Sequence, residues 1–136
     1  MEVIDAHLHL YKAVSPAYPR TVYPGMADAE MEVLAEDFLE IMQAAGVDKA
    51  IVVPLGPQDH YLTDLRNYFP GRFVGIGNYD PDSTMISQDL DQRIETSGIQ
   101  GIRVSGVDPI ASPGDDPETY ELFPLFAARA ERGLKV

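Results

Sequence analysis

Cysteine, basic residues and long apolar segments are all scarce or absent in this sequence of 136 residues. Without cysteine, the chain forms no disulfides and offers no thiolate ligands to a metal. Lys and Arg number 10 against 22 Asp and Glu, which gives a formal net charge of -12. Such an acidic surface repels phosphate backbones and anionic membranes, so we expect neither nucleic acid nor membrane as a partner. A small anionic substrate would need only one local positive group.

No apolar stretch approaches the roughly 18 residues of a membrane span. The first residues lack the basic region and apolar run of a secretory signal, so the sequence predicts a cytoplasmic location. Hydrophobic residues make up 45% of the chain, enough for a core. The length suits one domain over residues 1–136, or a single partial domain if the fold belongs to a larger class.

We predict the first strand over residues 3–10, because apolar and polar side chains alternate there. One face would carry Ile4, Ala6, Leu8 and Leu10, and the other Val3, Asp5, His7 and His9. Residues i and i+2 of a strand lie about 6.5–7 Å apart, so two imidazoles can lean together. They could then reach one metal ion at about 2.0–2.1 Å per Zn–N bond. The alternative is a polar strand end with two solvated histidines.

Four strand–helix units follow one another along the chain. The later strands are predicted at 50–55, 72–78 and 99–105, and the helices at 28–45, at 60–69, from Ser83 or Ser87 to Gly98, and from Pro124 to Gly133. Loops are expected at 11–28, 80–82 and 107–117. Alternating strands and helices predict an α/β fold with a parallel sheet, either doubly wound or part of a (β/α)8 barrel. A doubly wound nucleotide binder would have a glycine-rich turn after its first strand, where this chain has His-Leu-His-Leu-Tyr.

The last residues, 134–136, read as the beginning of a fifth strand. Because a complete (β/α)8 barrel needs about 250 residues, we expect the N-terminal half of a TIM barrel, with four parallel strands and their helices. The outer strands would then have open edges, and the inner face would lack its opposite wall. Such surfaces favour association, so a homo-oligomer is expected.

Five segments of the sequence resemble the amidohydrolase superfamily. More specifically, they are similar to the amidohydrolase-2 group, which includes aminocarboxymuconate semialdehyde decarboxylase-like and dicarboxylate lactonase-like enzymes. The segments are Ile-Asp-Ala-His-Leu-His-Leu at 4–10, the helix exit at 45–50, the third-strand region at 70–75, Asp-Pro at 80–81, and the fourth-strand region at 98–103. They occur in the family's order over essentially the whole chain, so the resemblance is more specific than His-x-His alone.

The resemblance implies a barrel whose site lies at the carboxyl ends of the strands. His7 and His9 match the metal ligands on the family's first strand, and the implied cofactor is a divalent metal, with zinc expected. The family's further histidines come from strands five and six and its catalytic aspartate from strand eight, none of which this chain contains. Some relatives have a carboxylated lysine on strand four, where this chain has Arg103, which argues against a binuclear site. Certain lactonase-like relatives work without metal.

Arg103 alternates with apolar neighbours, so its guanidinium should point inward and could bind a carboxylate substrate or an acidic side chain. Asn78 ends the third predicted strand and is a candidate for substrate hydrogen bonds, as is Ser105 after the fourth. Tyr11, with Lys12 and Arg20, could line a substrate lid or simply pack the long loop.

Two other polar residues could have structural rather than functional roles. Asp5 could support a ligand through a hydrogen bond or fix the start of the sheet. His60 is expected to be a solvated residue at the start of a helix.

The function predicted from the sequence is that of a metal-dependent hydrolase acting on a small molecule that bears a carboxylate or a lactone. A non-oxidative decarboxylase of the same family is the alternative within this class. A non-catalytic half-barrel that self-associates is the alternative from another class. Since the general base is expected outside this chain, the sequence also predicts that the isolated chain is inactive.

Overall fold

The computed structural model describes residues 1–79, 85–104 and 123–135. In this part of the chain, strands and helices alternate as the sequence predicts. They are β1 (Ile4–Leu8), α1 (Ala35–Ala45), β2 (Lys49–Val52), α2 (Asp59–Tyr68), β3 (Phe73–Asn78), α3 (Ile86–Ser97), β4 (Gly101–Arg103) and α4 (Phe123–Glu131). All three strand pairings are parallel, and the sheet order is β1-β2-β3-β4. The predicted parallel α/β arrangement is confirmed. The predicted loops at 80–82 and 107–117 lie outside the described residues.

The strand register sorts the sheet side chains into a helix-facing side and an open side. Val52 and Ile102 are fully buried in the core beneath the helices. Because side chains alternate along a strand, the neighbouring residues Ile51 and Arg103 belong to the opposite, open side. The helix-facing core is formed by Leu10, Ala35, Val52, Tyr61, Leu62, Leu65, Leu90, Ile99, Ile102, Leu125, Ala128 and Leu134. The helices therefore cover one side of the sheet, and the other side remains open for a site.

An ion pair between helices lies directly over β3. The Arg93 guanidinium binds the Asp59 carboxylate through two contacts, Nε–Oδ2 at 2.6 Å and Nη2–Oδ1 at 3.1 Å. Burial alone would lower the pKa of Arg93, but the hydrogen bonds and charge of Asp59, with those of Asp89, raise it above its ordinary value. A Cβ atom at Gly77 would collide with this guanidinium, so a larger residue there would displace the Arg93 side chain from its place beside the strand.

Helix ends agree with the sequence better than helix starts do. Gly46 and Gly98 end α1 and α3 in the left-handed region, with φ of 70° and 65°, as predicted. The predicted start of α1 at Asp28 is wrong, because the helix begins at Ala35. The Arg20 guanidinium donates to the carbonyls of Asp28 at 2.7 Å and Met31 at 3.5 Å, which an α-helix would use for its own amides.

Local helix patterns in the sequence also predict a cap and an apolar position that the structure corrects. Asp59 precedes the predicted helix 60–69 and is a plausible cap, but its carboxylate binds Arg93 and no side chain caps the helix start. Ile41 belongs to the predicted apolar stripe of the helix 28–45, but it is 58% exposed on α1. Ser87 lies within α3 rather than at its start, and Ser83 is outside the described residues.

The residues after α4 return to the sheet beside β4. Lys135 forms an isolated parallel bridge with Gly101. Its carbonyl accepts from the Ile102 amide at 2.7 Å, and its own amide donates to Gln100 at 3.0 Å. This pairing agrees with the prediction that a fifth strand begins here. Among the described helices, none is long and apolar enough to cross a membrane.

The buried phenol of Tyr61 gives the fold a specific response to alkaline pH. Tyr61 is 3% exposed, and its oxygen accepts the Ala35 amide at 2.9 Å, where α1 begins. Desolvation raises the pKa of Tyr61 to about 12, against a smaller lowering effect of the Ala35 hydrogen bond. Since burial favours the neutral phenol, this contribution to stability is complete below pH 10 and is lost as the pH rises towards 12.

We therefore expect Tyr61→Phe to flatten the alkaline loss of stability. Between about pH 9 and pH 11, the wild-type free energy of unfolding should fall by about 1 kcal/mol more than that of the variant. Urea denaturation followed by circular dichroism measures both. Equal losses in the two proteins would contradict the expectation.

Candidate metal centre

The two predicted metal ligands converge at the carboxyl end of β1. Nε2 of His7 lies 3.2 Å from Nε2 of His9. The ring centroids are 4.7 Å apart and the ring planes meet at 84°, so the two rings lie edge to face. The structure thus brings together the imidazoles that the sequence predicted to lie side by side.

A β-bulge aims the first of these rings. Asp5 pairs with Ala50 and Leu8 with Val52, so three steps on β1 match two steps on β2. The Asp5 carboxylate accepts the amide of His7 at 3.0 Å within this irregular stretch. As a result, Ala6 and His7 both line the open side, and the strict alternation predicted for β1 is wrong here. Asp5 pairs with buried Ala50 and therefore lies on the other side of the sheet from His7. Its support of His7 is the hydrogen bond to the His7 backbone amide.

A backbone carbonyl directly after β2 defines the tautomer of the His9 ring. Its Nδ1 lies 2.7 Å from the carbonyl oxygen of Val53. A carbonyl can only accept a hydrogen bond, so Nδ1 carries a proton, and in the neutral ring Nε2 then keeps its lone pair. Metal-binding histidines are commonly oriented by such a hydrogen bond from the other ring nitrogen.

The donor set fits part of a metal site. With bonds of about 2.0–2.1 Å, nitrogens 3.2 Å apart subtend an angle of about 100° at a shared ion, close to the tetrahedral angle of zinc. Catalytic zinc sites usually have three protein ligands. Within residues 1–79, 85–104 and 123–135, no group of three or more His, Cys, Asp or Glu side chains could hold a metal. The described residues therefore offer two candidate ligands, which is fewer than a catalytic zinc site usually has.

A cavity of about 400 Å³ on the open side joins His7 to Arg103. Its wall is largely apolar, and Arg103 and Lys135 bring two cations to it in a strongly acidic chain. The lining residues are Ala6, His7, Ile51, Val53, Ile76, Ile102, Arg103, Val104 and Lys135. Arg103 thus lies where the sequence placed it. Lys135 was missed as a lining residue, although the predicted fifth strand was the signal that could have found it.

The other two predicted substrate-binding residues do not line this cavity. Tyr11 is buried within the loop, where the Arg20 guanidinium lies 5.1 Å from its ring centroid. The side-chain nitrogen of Asn78 donates to the carbonyls of Pro54 at 2.8 Å and Gly56 at 2.7 Å. Both residues therefore have contacts that organise the loops around the histidines.

The remaining sequence candidates are spread around the site. Lys12 lies over the ring of Tyr61, with Nζ 5.2 Å from the centroid, and the side chain of Arg20 is buried within the long loop. His60 is exposed at the start of α2, as expected. Ser105 lies outside the described residues.

Sequence reasoning missed Gln58, a fully buried polar side chain beside the site. Its Oε1 accepts the Lys12 amide at 3.1 Å, and its Nε2 donates to the carbonyls of Lys12 at 3.5 Å and Tyr18 at 3.3 Å. These bonds tie the long loop after β1 to the start of α2. No pattern in the sequence distinguishes this glutamine from a solvated one.

A parallel strand–helix sheet with paired histidines at the end of its first strand defines one wall of a barrel with a candidate metal centre. The model of the amidohydrolase family matches residues 4–136. The chain belongs to this family, and the resemblance noted in its sequence is confirmed. A search of curated proteins found no match.

Solved structures agree with this fold at low sequence identity. A candidate 2-pyrone-4,6-dicarboxylic acid hydrolase from Pseudomonas putida is similar with a TM-score of 0.68 and 22% identity, over 98% of this chain and 46% of that one. The 5-carboxyvanillate decarboxylase from Novosphingobium aromaticivorans, with bound manganese, is similar with a TM-score of 0.65 and 17% identity, over 98% of this chain and 49% of that one. A probable 2-pyrone-4,6-dicarboxylic acid hydrolase from Acinetobacter baumannii, with citric acid bound, is similar with a TM-score of 0.59 and 19% identity, over 83% of this chain and 42% of that one.

The chain thus spans less than half the length of each of these three structures. They are TIM-barrel amidohydrolases, and the four described strands correspond to the N-terminal half of such a barrel. The predicted fold class is confirmed.

Proposed function

We propose that this chain provides the first-strand metal ligands and an anion-binding arginine of a metal-dependent hydrolase. The substrate would be a small molecule bearing a carboxylate or a lactone. The observation that carries the proposal is the convergence of the His7 and His9 Nε2 atoms, 3.2 Å apart, beside a cavity that Arg103 also lines. Family membership supports a metal-dependent reaction, and one of the similar structures has bound manganese, while certain lactonase-like relatives work without metal.

In this proposal, His7 and His9 hold one divalent ion, for which we propose zinc. When bound, such an ion acts as a Lewis acid that activates water and polarises a carbonyl. His9 is prepared for this role, since Val53 already holds its proton on Nδ1. The remaining ligands and the general base would come from the half of the barrel that these residues do not form.

Arg103 is proposed to bind the substrate's anionic group. Its guanidinium can form two parallel hydrogen bonds with a carboxylate, and such charge-assisted bonds strengthen where water is scarce. Lys135 on the same cavity would add to the positive potential. Tyr11 and Asn78 belong in this proposal to the scaffold around the site, in view of their packing and backbone contacts.

Hydrolysis is the proposed reaction, with decarboxylation as the alternative. Two of the similar structures are named as hydrolases of a dicarboxylic acid, and one is a decarboxylase with bound manganese, so both reactions are known on this fold with small carboxylates. The cytoplasmic location expected from the sequence is kept as part of this proposal.

Zinc titration of the purified chain tests the proposed ligands. We expect His7→Ala and His9→Ala each to weaken zinc binding at least about tenfold, because each removes one of two donors. His60→Ala is the matched control, since it removes an exposed histidine outside the site. Calorimetry in excess magnesium suppresses binding by surface carboxylates, which prefer the harder ion. Equal zinc affinities in all four proteins would refute the assignment.

We further expect the 136-residue chain to have no turnover of its own, because its described residues offer two candidate ligands and the general base is expected from another part of the barrel. With zinc or manganese present, the purified chain should neither hydrolyse 2-pyrone-4,6-dicarboxylate nor remove a carboxylate from 5-carboxyvanillate. Each assay runs beside the His7→Ala variant. Turnover by the wild type that disappears in the variant would contradict the expectation.

We propose a second copy of this chain as the homo-oligomeric partner, bound at the open side of the sheet. Among the described residues, β1 forms an outer edge of the sheet, and Ile4 on this edge is 49% exposed. An unpaired parallel edge beside exposed apolar side chains favours association with another sheet. The alternative of a non-catalytic half-barrel predicts the same association.

Light scattering during size-exclusion chromatography tests this association. The wild type should elute at a multiple of the mass of one chain, and Ile4→Glu should shift it towards the monomer. Ile41→Glu is the control, because Ile41 is 58% exposed on α1, on the covered side of the sheet. A wild-type monomer at all concentrations, or equal effects of the two substitutions, would count against a second copy.

A further inference from the structure

We propose that Asn78 is a positioning residue for the His9 imidazole, acting through the backbone of residues 53–56. This inference deepens the proposed function, since it concerns how one proposed metal ligand is prepared. It replaces the substrate-binding role that the sequence suggested for Asn78. Hydrogen bonds join Asn78 on β3 to the segment after β2, and another joins that segment to the ring of His9.

The first step is the contact between Asn78 and the segment after β2. A carboxamide nitrogen has two protons, and in Asn78 both have carbonyl partners. The distances are 2.8 Å to Pro54 and 2.7 Å to Gly56, and Pro54 is fully buried. Proline provides no amide of its own, so this segment has few other backbone donors with which to fix its path. Asn78 therefore fixes the carbonyls on both sides of Leu55.

The second step links that segment to His9. Val53 directly precedes Pro54, and its amide donates to the carbonyl of Leu8 at 2.9 Å. Its carbonyl accepts Nδ1 of His9 at 2.7 Å. Val53 thus contacts the residue before His9 and the ring of His9 itself. A shift of the Val53–Pro54 peptide would break the hydrogen bond to the imidazole.

The third step is the chemical consequence for the ring. With the Val53 carbonyl in place, the proton stays on Nδ1, and the Nε2 lone pair faces His7. Without it, a neutral imidazole can place its proton on either nitrogen, and the Nε2–H tautomer cannot bind a metal through Nε2. Asn78 therefore selects the tautomer of His9 that a metal site needs, without touching the metal.

Nitrogen-15 NMR of the histidine rings tests this role directly. In mildly alkaline buffer, where imidazoles are neutral, the wild-type His9 ring should be predominantly the Nδ1–H tautomer. Asn78→Asp keeps the shape but removes both donors and faces the two carbonyls with a charge. We expect it to move His9 towards the Nε2–H tautomer and to weaken zinc binding about tenfold. His60 is an internal reference whose signals should not change.

Asn67→Asp is the matched control, since Asn67 is exposed on α2 and the change adds the same charge. It should leave the His9 tautomer and the zinc affinity unchanged. Asn78→Ala removes the donors without adding a charge and serves if the aspartate variant does not fold. A folded Asn78 variant with the wild-type His9 tautomer would overturn the proposal.

A measurement on the wild type keeps the inference testable even if neither variant folds. The side-chain amide protons of Asn78 should exchange with solvent much more slowly than those of exposed Asn67, because each Asn78 proton is hydrogen-bonded to a backbone carbonyl. Equal exchange rates would overturn the proposal. Neither the tautomer nor the exchange measurement needs a metal, so they can succeed even if the chain binds no zinc. Failure of the proposed function and failure of this inference are thereby distinguished.

Discussion

The backbone contact between the ends of β1 and β2 is the interaction on which the candidate site depends. Val53 donates to Leu8 and accepts from the ring of His9, so one residue both closes the sheet pairing and orients a side chain. The bulge in β1 matters for the same reason. It inserts one residue before this contact, and the Asp5 carboxylate accepts the displaced His7 amide. Sheet pairing and ligand geometry are therefore set by the same few atoms.

The loops around the histidines are held from two sides, which explains why a long irregular segment is compatible with a defined site. Arg20 is buried within this segment and donates to the carbonyls of Asp28 and Met31. Gln58, at the start of α2, binds both the amide and the carbonyl of Lys12. Buried polar groups need such partners, and here meeting that need also fixes the chain that follows His9.

Much of the fold could be predicted from the sequence because it depends on local patterns. Alternating strand and helix signals gave the order of the elements, and glycines marked the ends of α1 and α3. The start of α1 could not be predicted, because the carbonyls of Asp28 and Met31 accept from Arg20, which lies eight and eleven residues before them and outside the predicted helix. Helix propensity does not describe such competition from a neighbouring loop.

The same distinction applies to the site. The i, i+2 spacing of His7 and His9 is visible in the sequence, and so is the inward position of Arg103. The bulge is not visible, because it depends on the register with β2. The contacts of Asn78 are also invisible, since an asparagine at a strand end suits a substrate contact and a loop contact equally well. Its role depends on where the carbonyls of Pro54 and Gly56 lie.

The number of ligands and their orientation are separate requirements of a metal site, and the two halves of a barrel can meet them separately. Affinity for a metal depends on the number of ligands, and two imidazoles are too few to hold zinc firmly. Orientation is a separate requirement, and this chain already meets it, with one tautomer fixed and the two nitrogens 3.2 Å apart. Ligands on an opposite wall would therefore meet two nitrogens that already lie close together, so less of their binding energy would go into ordering this pair. Weak metal binding by this chain is thus compatible with a well-formed ligand pair.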